Sequence, residues 1–199
     1  MAIRRFSTAS VNTGVKSNKM WDQDTAQGAM VPIVSYTFTA DGNNPNFTNI
    51  PQDYQDIRIV VNSRGADTAG TSVLFSIYVN GFGSAFASRT TIQGQGTTVT
   101  SYRHSTSTPT YGMQFYEAGG TAPNGVFSMA TADILDYTNT NKFKTYLTKI
   151  HSNTSTAGIM ELTATTYAST AAVTSFQVSG TGNFKAGSTV TIYGIKAGA

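Results

Sequence analysis

From about residue 31 onward, apolar and polar positions alternate with a period of two, the spacing of a strand with one buried face. In "PIVSYTFT" the residues Val34, Tyr36 and Phe38 share a side; in "DIRIVVNS" Ile57, Ile59 and Val61 do; in "SVLFSIYV" Val73, Phe75, Ile77 and Val79 do. Similar segments follow: "YGMQFYE" (111–117), "VFSMATADIL" (126–135), "KFKTYLTKI" (142–150), "IMELTATTY" (159–167), "VTSFQVSG" (173–180) and "STVTIYGI" (188–195). Turn clusters such as "DGNNPN" and "GGTAPNG" separate them, and Asn80-Gly81 is the strongest short-range hairpin signal. No segment carries a helical period. Eight or nine short strands predict an all-β fold, an antiparallel β-sandwich of jelly-roll-like type. The spacing alone leaves a jelly roll and other sandwich topologies open. The predicted core includes Phe38, Ile59, Phe75, Ile77 and Ile192, and Glu161 reads as the polar partner in its alternating strand. The polar stretch 84–109 reads as a loop excursion with at most one irregular strand.

Residues 1–30 show neither period. They are polar, with isolated apolar anchors at Ile3, Phe6, Val11, Val15, Met20, Trp21 and Met30. The chain thus divides into an arm, 1–30, and a sandwich domain, 31–199. Positive charge gathers at the very start of the chain. Residues 1–20 hold Arg4, Arg5, Lys16 and Lys19 and no acid, which is +4. Nine bases and ten acids remain for residues 21–199, which is −1, so the excess of positive charge lies in the first twenty residues. Nucleic-acid binding by the body therefore has no electrostatic support. Aromatic and basic anchors on a segment without a core of its own are what interfaces use. The predicted attachment residues are Ile3, Arg4, Arg5, Phe6, Lys19, Met20 and Trp21.

Composition agrees with strands. Serine and threonine make up about a quarter of the chain, while charged residues are 12 %, about half the usual share. There is no cysteine, which excludes disulfide and thiolate chemistry. No apolar run is long enough for a membrane helix, and the two arginines near Met1 are not followed by the apolar stretch of a signal peptide.

Candidate chemistry is sparse. His104 lies in a predicted loop and His151 after a strand; neither accompanies a nucleophile elbow, and both read as surface histidines. Glu117, Asp133, Asp136 and Glu161 are the carboxylates available for a glycosidase pair, with Asp136 expected to face solvent. Asp22 and Asp24, or Asp41 beside asparagines, lack the spacing of a calcium loop, and Asp41 is better suited to stabilising a turn. In "IPQDYQDIRIVVNSRG" the ring of Tyr54 can pack on the sandwich end while Asp53 and Asp56 cap turns. The expectation is a protein without catalytic, metal or cofactor sites. Tyr102, Tyr111, Phe115 and Tyr116 flank the polar excursion and are the candidates for contact with a glycan.

Three segments, "FTNIPQDYQDIRIVVNSRG", "IYVNG" and "GSTVTIYGIKA", resemble a β-rich class of virion proteins of tailed bacteriophages, notably marine and cyanobacterial ones. "MAIRRFSTASV" with "KMWDQ" resembles the attachment arm at the start of such proteins. The resemblance implies a non-enzymatic virion structural protein, on the capsid surface or the tail. A short arm with one compact domain suits a capsid decoration (cement) protein, a homotrimer held by its arm to the major capsid protein or another virion protein. The alternative is a tail-fibre tip that binds a receptor or host surface glycan.

Overall fold

The computed structural model describes residues 30–42, 44–66, 72–81, 88–105, 113–153, 158–180 and 182–196. Among them there is no helix, and every strand pairing is antiparallel. The attachment residues Ile3, Arg4, Arg5, Phe6, Lys19, Met20 and Trp21 lie outside the described residues, as does Tyr111.

Among the described residues, twelve strands form two sheets. They are β1 (Val31–Thr37), β2 (Asn46–Phe47), β3 (Asp56–Ser63), β4 (Ser72–Val79), β5 (Ser88–Gln95) and β6 (Thr98–Ser105), followed by β7 (Met113–Ala118), β8 (Ser128–Ile134), β9 (Lys144–Asn153), β10 (Gly158–Tyr167), β11 (Phe176–Gly180) and β12 (Thr189–Ile195). The larger sheet has the order β1-β12-β3-β8-β9-β10-β5-β6 and the smaller β2-β11-β4-β7. This is an expanded jelly roll. With β8–β10 counted as one position, β2 to β11 supply eight strands, the first, eighth, third and sixth in one sheet and the second, seventh, fourth and fifth in the other. The seventh position has grown into a three-strand meander, and β1 and β12 extend the far edge.

The apolar core lies between the sheets. Ile57, Ile59 and Val61 of β3, Ala130, Ala132 and Ile134 of β8, and Val190 and Ile192 of β12 face Phe75, Ile77 and Val79 of β4 and Phe176 and Val178 of β11. Phe184 stacks on Phe38 at 4.8 Å and meets Phe75 at 3.9 Å between ring centroids. Each expected core residue is buried here.

Stretch 84–109 departs from expectation. Its described part is a long hairpin, β5–β6, that continues the larger sheet beyond the core. Gly96, at φ +58°, opens its two-residue turn, a conformation glycine adopts without strain. Asn80 and Gly81 take positive φ as a tight turn requires, yet they do not close a hairpin. β4 pairs with β11 and β7, and β5 belongs to the other sheet. The Asn80 side chain instead fastens the approach to β11: its Oδ1 accepts from the Thr174 N–H at 2.8 Å, and its Nδ2 donates to the Ala172 carbonyl at 2.8 Å.

The segment before β3 is structural. Tyr54 packs on the core, and Asp56 Oδ1 accepts from the Asp136 N–H at 2.8 Å. Asp41 holds a turn by accepting from the Ala186 N–H at 2.9 Å and from Lys185 Nζ at 3.0 Å.

Candidate functional site

Along β7, side chains alternate between two environments. Met113, Phe115 and Glu117 point one way and are buried; Gln114 and Tyr116 point the other. Leu74 pairs with Tyr116 and shares its side. Opposite them stands the face of β5, β6 and β10 that would have formed more core had it been apolar. It carries Arg89, Thr91 and Gln93 on β5, Glu161 and Thr163 on β10, and Tyr102 and His104 on β6. Between these surfaces lies a cleft of about 440 Å³, lined by Leu74, Arg89, Gln93, Tyr102, His104, Gln114 and Tyr116.

Strand register assembles the polar groups. Glu161 is the direct partner of Gln93, and Thr163 that of Thr91, which in turn faces Tyr102. Gln93 Nε2 donates to Glu161 Oε1 at 2.5 Å, and the Tyr102 hydroxyl donates to the same oxygen at 3.2 Å. The Thr91 and Thr163 hydroxyls bond at 2.9 Å. Arg89 Nη1 donates to Gln114 Oε1 across the cleft floor, joining the two sheets. Tyr102 and His104 meet edge to face at 5.3 Å.

Burial raises the Glu161 carboxyl above its ordinary range, although bonds from Gln93 and Tyr102 and the Arg89 charge oppose it. Burial, then the neighbouring Glu161 charge, raises Tyr102. Arg89 is only 9 % exposed and its Nε has no hydrogen-bond partner. A buried donor of that kind costs free energy until something accepts from it.

Of the residues selected from sequence, the structure brings Tyr102 and Tyr116 together as cleft walls. Phe115 is no part of it: at 1 % exposure it belongs to the core and stacks near Phe75 at 6.1 Å. Neighbouring residues on a strand cannot share a face, so Phe115 and Tyr116 exclude one another. Glu161 is also corrected, since it points inward while Met160 and Leu162 point out. His104 lies on a strand, with an exposed ring. Arg89, Gln93 and Gln114 escaped the sequence reading; the signal for the first two was the alternation Arg-x-Thr-x-Gln ahead of the Gly96 turn.

The four candidate carboxylates do not converge. Glu117 faces the core and Glu161 the cleft. Asp133 receives Arg58 Nε at 2.5 Å and Nη2 at 3.0 Å, and Asp136 pairs with Lys142 near the surface. Among the described residues no three His, Cys, Asp or Glu side chains gather to hold a metal ion. The cleft presents paired hydrogen-bond donors and acceptors between two tyrosines.

A second surface lies on the opposite side of the larger sheet. Cross-strand register puts Val99, Gly94, Met160, His151 and Met129 in one row and Ile92, Leu162 and Lys149 in the next. Met160 is 65 % and Val99 75 % exposed, and Ile92, Leu162 and Met129 are exposed beside them. Near Leu147 and Leu135 the same face has an apolar hollow of about 300 Å³, bordered by the Arg58–Asp133 pair.

Comparison with known proteins finds no family model, curated protein or solved structure that matches the chain.

Proposed function

We propose that this chain is a non-enzymatic structural protein of a tailed-bacteriophage particle, a decoration protein whose sandwich stands on the capsid and whose arm, residues 1–30, fastens it there. The observation that carries this reading is the apolar solvent face of the larger sheet. Contiguous exposed apolar surface marks a place where another protein packs. Lys149 and Arg103 point from this face without an ion partner among the described residues, while its acid Asp133 is held by Arg58. An apolar face with a basic tint fits an apolar and acidic patch on the major capsid protein better than it fits a second copy of itself. The homotrimer implied by the resemblance would then form through other surfaces. By analogy of fold alone, jelly rolls serve both as capsid and as lectin domains.

The test uses two variants, Met160→Lys with Leu162→Lys, and deletion of residues 1–25. Under this reading each keeps a folded body and sediments with purified particles at reduced occupancy. Full occupancy by both variants would refute it. The second reading, a receptor- or glycan-binding tip, is favoured by the cleft between Tyr102 and Tyr116.

A further inference from the structure

We propose that the cleft between the β5–β6 hairpin and β7 binds one ring of a neutral polysaccharide, gripped by Arg89, Gln93 and Gln114 between Tyr102 and Tyr116. This rests on the glycan-binding reading and goes beyond it by naming the ligand class and the polar residues that select it.

A sugar hydroxyl both donates and accepts, so a site for it must offer both at close spacing. Here donors and acceptors are interleaved. The Arg89 Nε is a buried donor without a partner. Gln114 accepts from Arg89 through its oxygen, leaving its amide nitrogen as a donor toward the cleft. Gln93 gives its amide nitrogen to Glu161, leaving its oxygen as an acceptor. Because Glu161 takes both Gln93 and the Tyr102 hydroxyl, these two side chains are held in place before any ligand arrives, which lowers the ordering cost of binding.

The cleft carries no excess of positive charge while Glu161 is ionised. Arg89 alone would attract a phosphate or sulfate, but the Glu161 carboxyl lies behind Gln93 and Tyr102 and opposes it. The remaining described lining is His104 with Tyr102, Tyr116 and Leu74, and the two tyrosine rings and Leu74 offer apolar surface against which the C–H face of a pyranose packs. The volume of about 440 Å³ lies in the range of small-ligand sites.

The experiment is calorimetric titration of the full chain with neutral oligosaccharides derived from dextran, mannan and galactan, and with dextran sulfate as the anionic counterpart. The expected result is binding to at least one neutral series, weakened about tenfold or more by Tyr116→Ala and by Gln114→Ala. Tyr116→Ala should leave thermal unfolding nearly unchanged, whereas Gln114→Ala strips the buried Arg89 of its acceptor and should lower the midpoint, so both are titrated well below their own midpoints. Met160→Lys, on the opposite face, should bind as the unaltered chain does. Neutral binding untouched by both cleft variants would overturn this site while leaving the glycan-binding reading standing. Binding of dextran sulfate only, lost in the cleft variants, would overturn the ligand class. No binding to any of the probes would overturn both this inference and the reading beneath it.

Discussion

The ring of Tyr54 occupies the space that a β-carbon on Gly194 would need. Such an atom would stand 2.3 Å from Tyr54 Cγ and 2.4 and 2.5 Å from its two Cδ atoms. The segment before β3 thereby closes over the end of β12, with the Lys196 ammonium 5.6 Å from the ring centroid. Gly194→Ala must displace the ring, and overpacking of this kind costs about 1–3 kcal/mol. Thermal unfolding should show that loss, and Tyr54→Ala in the same chain should make the added methyl nearly harmless. Equal cost of the methyl with and without Tyr54 would contradict the packing.

Arg64 organises the loop between β7 and β8. Its guanidinium donates to the carbonyls of Ala122 at 2.6 Å, Pro123 at 2.5 Å, Gly120 at 3.1 Å and Val126 at 3.2 Å. Arg64→Met leaves those carbonyls without their donor and should lower unfolding free energy by about 3 kcal/mol. Arg64→Lys should recover only part, because an ammonium cannot fork among four acceptors. Chemical denaturation of the three chains decides it, and indistinguishable midpoints would count against the role.

Glu117 predicts a pH dependence. Its carboxyl is fully buried and neither oxygen has a hydrogen-bond partner. Burial pushes it up to about 9, against a smaller lowering influence of the neighbouring Ser63 hydroxyl. The folded state thus holds a proton that the unfolded chain releases near pH 4.5. Stability from this group is fully present below that pH and is lost as pH rises toward about 9, by up to about 1.4 kcal/mol per pH unit. Urea midpoints should fall between pH 5.5 and 8.5, and Glu117→Gln should flatten the fall. A slope unaltered by the substitution would show that another group sets it.

Strands β3 and β4 are legible in sequence to the residue because one of their faces meets a dry core, which forces apolar residues to every second position. The β5–β6 hairpin is illegible for the same reason inverted. Its inward face meets the polar cleft, so Arg89, Thr91 and Gln93 stand where leucines or valines would have announced a strand. On β10 the exposed Met160 and Leu162 imitate a core face and hide Glu161 behind the wrong side. Lys144 is concealed in a similar way. It lies inward on β9, with its ammonium ringed by carbonyls including Thr170 at 2.7 Å and Ala171 at 2.8 Å, partners no local pattern reveals. Tyr102 and Tyr116 could be chosen as aromatics near a polar stretch; that they face one another depends on β6 and β7 belonging to different sheets.

The most direct test of the structural role is to look for the protein on the particle. Under the proposed reading, gradient-purified virions of a phage whose genome carries this sequence should contain its peptides by mass spectrometry and carry immunogold label against the sandwich domain on the capsid surface. Recovery only in the soluble fraction of infected cells, with unlabelled particles, would contradict the account.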